Sequence, residues 1–279
     1  TGETGTGKEV FAQAIHNGSA RAKQPFVAIN CSAFSKELLE SEIFGHKAGA
    51  FTGALKDKKG LFEEANHGTI FLDEIGEMAY GLQAKLLRVL ETGEYIKVGD
   101  TKPTKIDVRI VSATNRNLKE EIANSNFRED LYFRLSVFHL HLPPLRERRE
   151  DIPELAAAFL KFFAAKMGKQ VKGFAADCQA WMQSYAWPGN VRELRNVIER
   201  AVIICDDYIT LDDMPLDFRS STLSGSAADG DDFELAEAEH RHIQRVLQYT
   251  KGNKAEAARL LKIGLTTLYR KIEEYGINI

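Results

Sequence analysis

Residues 1–9 read TGETGTGKE and residues 68–74 read GTIFLDE, and the fold turns on these two runs. GETGTGKE matches the first seven positions of G-x-x-x-x-G-K-[ST]. Its glycines let successive backbone N–H groups point into one concavity. That nest, opening onto a helix N-terminus, holds phosphate oxygens. Gly2, Glu3, Thr4, Gly5, Thr6, Gly7, Lys8 and Glu9 are therefore candidate nucleotide-binding residues, with Lys8 reaching the β and γ phosphates. Glu9 stands where a Ser or Thr usually contacts magnesium. GTIFLDE reads as a buried strand that carries two acids to the edge of a sheet, where ligands of open α/β sheets bind. Asp73 is expected to hold Mg2+ through its water shell, and Glu74 to take a proton from the attacking water or orient it. The implied cofactors are ATP and Mg2+.

Outward from these runs, β-like and helical segments alternate. PFVAIN (25–30), GTIFLDE, VRIVSATN (108–115) and SVFHLHL (136–142) are the expected strands. Their near-continuous Val, Ile and Phe content suits strands buried on both faces. KEVFAQAIHNG, SKELLESEIFG and GLQAKLLRVLETG between them carry apolar residues at helical spacing, with Gly near their ends. The pattern is α/β with a parallel sheet. After PPLRERREDIP (143–153) the strands cease, and IPELAAAFLKFFAAKMG, ADCQAWMQSYAW and GNVRELRNVIERAVII all read as helices. The run opens inside the phosphate-loop motif, so a strand is expected ahead of residue 1.

Of the 279 residues, 44% are hydrophobic and 28% charged, an ordinary globular balance with room for about two domains. The three cysteines, Cys31, Cys178 and Cys205, lie far apart without a CxxC or a His/Cys cluster, which argues against disulfides and zinc and for a reducing, cytoplasmic setting. No apolar run approaches the ~18 residues a membrane span requires, so no membrane partner is expected. Charge divides the chain: residues 206–239 carry a net −10 and residues 240–279 a net +5. SSTLSGSAADGDD between the two has a linker composition. The expected domains are 1–145 (α/β), 146–218 (helical), 219–232 (linker) and 233–279 (a basic tail module).

GAFTGA, residues 49–54, sets Phe51 and Thr52 between Gly49 and Gly53. A Phe in so glycine-rich a stretch is either pinned into the core by a tight turn or held out on a mobile loop for a partner. GETGTGKE, GAFTGA, GTIFLDEIGEM, SATNRNL, FREDLYFRL, PPLRERREDI and WPGNVRELRNVIER occur in this order. Together they resemble the AAA+ ATPase domain of sigma-54-dependent transcriptional activators, the bacterial enhancer-binding proteins. The resemblance covers about residues 1–215, and GAFTGA is its most specific element. It implies an AAA+ three-layer α/β sandwich with a helical lid and a C-terminal helix-turn-helix. The family's own loop commonly has Glu at the position of Glu9. The resemblance makes Asn115 the residue that senses the γ-phosphate and Arg192 a second sensor on the lid. Arg128 and Arg134 become arginine fingers reaching a neighbour's nucleotide. Asn30 becomes the restraint on the catalytic Glu. It also implies a homo-oligomeric ring, usually hexameric, and a sigma-54 contact made by Gly49, Ala50, Phe51, Thr52, Gly53 and Ala54.

In the tail, ELAEAEHRHIQRVLQYTKGN reads as a long helix ending near Gly252. NKAEAARLL and TTLYRKIEEYG follow as shorter helices joined by KIGL. Such a pair suits a helix-turn-helix, whose second helix would bring Thr266, Thr267, Tyr269, Arg270 and Lys271 to DNA, with Leu268 and Ile272 facing the core. The family often has Gly where Lys262 stands. The expected function is ATP-driven remodelling of the sigma-54 RNA polymerase closed complex by a protein bound to enhancer DNA. The alternative is a nucleotide-controlled DNA-binding regulator that does not drive the polymerase.

Overall fold

The computed structural model describes residues 1–215, 235–250 and 252–277. The chain forms two compact units, Thr1–Arg219 and Ser220–Ile279. The expected linker at 219–232 lies outside the described residues.

The first unit is built on a parallel sheet of β1 (Phe26–Asn30), β2 (Thr69–Asp73) and β5 (Arg109–Ser112), in the order β1-β2-β5. β2 is central: Thr69, Ile70, Phe71 and Leu72 are all buried. Removing each of the larger three from water contributes roughly 1.5–3 kcal/mol. The register sets Asn30 beside Asp73 and Leu72 beside Ser112, so the acidic end of β2 lies level with the ends of its neighbours. β1 and β5 are only partly buried, unlike the two-sided burial their sequences led one to expect.

Around the sheet lie α1 (Lys8–Asn17), α2 (Lys36–Phe44), the single turn α3 (Leu61–Glu64) and α4 (Tyr80–Thr92). A hairpin of β3 (Glu94–Ile96) and β4 (Pro103–Lys105) follows α4, and α5 (Leu118–Ala123) and α6 (Glu129–Leu135) follow β5. Ile43, Phe44, Phe62, Leu86 and Tyr95 join Ile70 and Leu72 in one core cluster.

SVFHLHL forms no ladder among the described residues. Ser136 N–H closes α6 onto Tyr132 O, and beyond it the segment's backbone bonds, among the described residues, are to Thr1, whose amino group donates to Leu140 O and whose carbonyl accepts from Leu142 N–H. Two bonds to one residue do not make a ladder. A cavity of about 380 Å³ separates this segment from β5 and α1.

The helical part has its own core. α7 (Ile152–Met167), α8 (Ala176–Ser184) and α9 (Asn190–Ile204) bury Phe163, Trp181, Trp187, Leu194 and Ile198. A two-residue parallel pairing of β6 (Gly173–Phe174) with β7 (Tyr208–Ile209) closes it.

The second unit consists of α10 (Leu235–Tyr249), α11 (Lys254–Leu260) and α12 (Leu265–Glu274), around Ile243, Leu247, Ala257, Ala258 and Leu268. Asn253 caps α11 by accepting from the Glu256 N–H.

Candidate functional site

The loop of residues 2–7 leads into α1 through Gly7, whose left-handed backbone (φ 99°) leaves the first N–H groups of the helix open. Its glycines have separate tasks. A Cβ on Gly2 would come within 2.7 Å of Leu142 O, and one on Gly5 within 2.3 Å of Gly189 O, whereas one on Gly7 would meet nothing. Above the loop lies a cleft of about 760 Å³, walled by the loop, by the strand ends and by α7 and α9. Thr4, Gly5, Gly7, Lys8 and Glu9 line it. Glu3 and Thr6 turn their side chains away: the Thr6 hydroxyl donates to Glu3 O at 2.8 Å, and the Glu3 carboxylate accepts from Arg146. That pairing, with a further bond from Asn190, holds the Glu3 carboxyl at about 2, so it is ionised at any ordinary pH.

Asp73 and Glu74 form the cleft floor with Lys8. Lys8 Nζ donates to Gly2 O at 2.9 Å and lies 3.8 Å from Glu74 Oε1. Glu74 adopts a left-handed conformation (φ 50°, ψ 49°), an uncommon state for a non-glycine residue and one that recurs at active sites. Its Oε2 accepts from the Asn115 N–H at 3.3 Å, while the Asn115 carboxamide donates to Thr4 Oγ1 at 3.0 Å. Asn115 therefore bridges the phosphate loop and the acidic strand end. Beneath them the Cys31 thiol is pushed up to about 12 by burial, then by the Asp73 and Glu74 charges. All three cysteines are buried and free. Among the described residues no three His, Cys, Asp or Glu side chains converge as a metal cage. Magnesium needs none, since it is held by one or two carboxylates plus phosphate oxygens and water. Asp73 and Glu74, hard oxygen donors beside an anion nest, fit it.

Asn30 lines the cleft, but its Oδ1 accepts from the Ser32 N–H and hydroxyl, at 2.8 and 2.7 Å. The arrangement ties the Asn30 carbonyl oxygen to its own turn and leaves the amide Nδ2, the donor a restraint on Glu74 would use, uncommitted by these bonds. Arg192 reaches the cleft from α9. So do Arg195, one helical turn on, and Phe162 of α7, neither of which was singled out from the sequence. Their only sequence signal is helical spacing from Arg192 and Phe159, which a core or surface face would share. Arg128 and Arg134 do not line the cleft of their own chain. Arg128 is paired in two bonds with Asp130 and lies over the Tyr80 ring, and Arg134 donates weakly to Leu90 O at 3.4 Å.

GAFTGA lies between α2 and α3, in the loop of residues 45–60. Gly49 (φ 81°) and Gly53 (φ 102°) have open space where a Cβ would be. Phe51 is 41% exposed, with its ring edge-on to His46 at 5.0 Å. Thr52 is exposed and Ala50 partly buried. Ala54 is buried, so its side chain is unavailable to a partner, contrary to its inclusion in the contact set. The loop is stapled at its base: Lys47 Nζ meets Asp57 Oδ2 at 2.7 Å, and the Ala48 N–H donates to Asp57 Oδ1.

On α12, Thr266, Tyr269 and Arg270 are exposed, Thr267 is partly buried, and Leu268 is in the core. Lys271 is committed elsewhere. It donates to Glu239 of α10 at 2.6 Å and, with the Tyr275 hydroxyl, lowers the Glu239 pKa. Its place among the DNA-facing residues is therefore not supported by this geometry. Lys262, at the turn before α12, takes φ 54°, a conformation that favours glycine.

A glycine-rich phosphate loop, a strand ending in paired acids, a bridging Asn and a helical lid define a P-loop protein of the AAA+ class. Residues 1–141 match the sigma-54 interaction domain, 146–230 the AAA+ ATPase lid domain and 234–275 the Fis-family bacterial regulatory protein. The chain belongs to the sigma-54-dependent activator family. It is 46% identical over 286 residues to the regulatory protein AtoC of Escherichia coli K12, covering 100% of this chain and 62% of AtoC. It is 48% identical over 277 residues to the alginate biosynthesis transcriptional regulatory protein AlgB of Pseudomonas aeruginosa, covering 99% and 61%. The crystal structure of NtrX from Brucella abortus in complex with ADP superposes with a TM-score of 0.74 at 37% identity, covering 99% of this chain and 64% of that one. Its complex with ATP gives 0.70 at 36%, covering 99% and 63%. The chain thus spans about three fifths of the curated relatives it matches. Among the described residues no helix is long and apolar enough to cross a membrane.

Proposed function

We propose that this chain is the ATP-hydrolysing and DNA-binding part of an activator that remodels the sigma-54 RNA polymerase closed complex to the open complex from an enhancer. The observation that carries this reading is the co-occurrence, in one unit, of a cleft lined by the phosphate loop and the paired acids and an exposed glycine-shouldered GAFTGA loop. The inward N–H groups of the loop and Lys8 would hold the phosphates of ATP, with Arg192 closing from the lid. Bound Mg2+, held by Asp73 and water, would neutralise charge on the β and γ phosphates. Glu74 would orient water for in-line attack on the γ-phosphorus and take its proton, leaving ADP and phosphate. Asn115, bonded to both Glu74 and Thr4, would register whether the γ-phosphate is present.

Arg128 and Arg134, away from their own cleft, fit service to a neighbouring subunit in a ring, for which a hexamer is the family's usual form. An arginine in that role contributes ~10³–10⁵ in rate. Phe51 and Thr52 would present the sigma-54 contact, and the exposed Thr266, Tyr269 and Arg270 the DNA contact. The divisions at 145/146, 218/219 and 232/233 are likewise proposed as domain boundaries.

Open-complex formation by the full-length protein with sigma-54 polymerase tests the reading. It should require hydrolysable ATP and intact enhancer DNA. Promoter opening that proceeds equally with a non-hydrolysable analogue would exclude the motor, and so would ATP turnover without any promoter opening.

A further inference from the structure

In a phosphate nest the N–H groups turn inward, so the intervening carbonyls turn outward and need donors of their own. Here the carbonyls of residues 2–6 are all supplied, the first two from the cleft side and the next three from the lid. Lys8 Nζ serves Gly2 O and Glu3 O, at 2.9 and 3.3 Å. The next three draw on the lid. Asn190 Nδ2 donates to Thr4 O at 3.0 Å, the Arg192 backbone N–H to Gly5 O at 3.3 Å, and the Arg148 guanidinium to Thr6 O at 3.0 Å. Glu3, facing the same way, is gripped by Arg146 at 2.6 and 2.8 Å and by Asn190 Nδ2 at 3.1 Å.

Two features of this seam are locally unfavourable. Asn190 is fully buried with φ 53°, and its Oδ1 is spent on the Leu145 N–H at 2.8 Å. Arg148 buries an Nε that has no partner. Costs of this kind persist where the surroundings over-determine them, and they gather at functional positions.

We propose that Asn190 and Arg148 are positioning residues for the nucleotide. They hold the outward carbonyls of the loop from the lid, and so keep the inward N–H groups aimed at the phosphates. Neither touches the phosphates; each acts through the loop backbone. The same bonds make lid and loop move together, so a loop that tightens on phosphate draws the lid with it. The inference rests on reading residues 2–9 as a nucleotide loop.

Asn190→Asp provides the test. It keeps the size, tolerates the left-handed backbone and retains an acceptor for Leu145 N–H, but it removes the donor to Thr4 O and sets a carboxylate against Glu3. In the full chain, titrated with N-methylanthraniloyl ADP, Asn190→Asp should raise Kd roughly tenfold, the scale of one lost buried hydrogen bond with an added like charge. Arg148→Met should raise it about fivefold by the same reasoning. In steady state the KM for ATP should rise by matching factors while kcat stays within about twofold, the signature of weakened uniform binding. Adding Glu3→Gln to Asn190→Asp replaces the carboxylate clash with an amide donor and should recover part of the loss, which a folding defect would not do. Wild-type affinity in either folded variant overturns the proposal. So does a loss confined to kcat, or failure of both variants to fold. A wild-type chain that binds no ADP removes instead the nucleotide reading beneath it.

Discussion

The phosphate loop and the GAFTGA loop are both built on glycine, and they use it in opposite ways. Around residues 2–7 Gly2 and Gly5 permit contact: a Cβ at Gly5 would drive into the Gly189 carbonyl, and the carbonyls of residues 2–6 are hydrogen-bonded. Around residues 49–53 Gly49 and Gly53 give left-handed turns with open space beside them, at φ 81° and 102°, and the ion pair Lys47–Asp57 holds the base while the tip carries a half-exposed Phe51. The difference teaches that one compositional signal covers two mechanical roles, and that packing decides which applies. A site that must aim dipoles at phosphate is tied on every side. A segment that must reach a partner is tied only at its root.

The largest test of this contrast falls on the tied site. Glu74→Gln should leave ADP affinity within about twofold but lower ATP turnover by ~10²–10⁴, the range for loss of a general base. Undiminished turnover in a steady-state phosphate-release assay would take Glu74 out of the chemistry and make its left-handed backbone a local accident.

Next in size is the stability contrast between two phenylalanines. Phe71, buried in the central strand, should cost ~3–5 kcal/mol on replacement by Ala, whereas Phe51→Ala should cost clearly less, because its ring is part exposed and rests edge-on against His46. Urea unfolding of the two variants reads this directly. Phe51→Ala should also keep ATP turnover while losing sigma-54-dependent promoter opening. Equal destabilisation by the two changes would mean that Phe51 is a core residue and the loop is tied after all.

The smallest effect lies in the tail, where a lysine does what glycine does elsewhere. Lys262→Gly relieves a left-handed backbone at φ 54° and should stabilise the second unit by about 1 kcal/mol. A shift of its thermal midpoint downwards would show that Lys262 makes a contact worth more than the strain.

Much of this was legible in the residues. Alternating apolar runs gave the parallel strands β1, β2 and β5 and the helices beside them, because burial leaves a periodic trace in the chain. SVFHLHL carried the same trace, but a ladder also needs a partner along its length, and among the described residues Thr1 alone pairs with Leu140 and Leu142. Lys8, Asp73 and Glu74 were readable as a constellation, Asn115 came with the family resemblance, and the structure brings all four within one network. Asn190 and Arg146 were visible only as letters inside recognised runs. Nothing in their local spacing says that they meet Glu3, more than 140 positions away.

The sequence by itself determined which chemistry the chain carries. A phosphate nest, paired acids at a strand end and an amphipathic helical tail follow from residue type and short-range spacing, and those quantities are local. Only the tertiary structure decided how each group is aimed. Folding turned Glu3 and Thr6 out of the cleft, tied Asn30 to Ser32, spent Lys271 on Glu239, buried Ala54 and brought the lid's donors onto the loop's carbonyls. These outcomes depend on which distant donor reaches an acceptor first and on which face of an element is covered. Both are set by packing between segments far apart in the chain, where no sequence period records them.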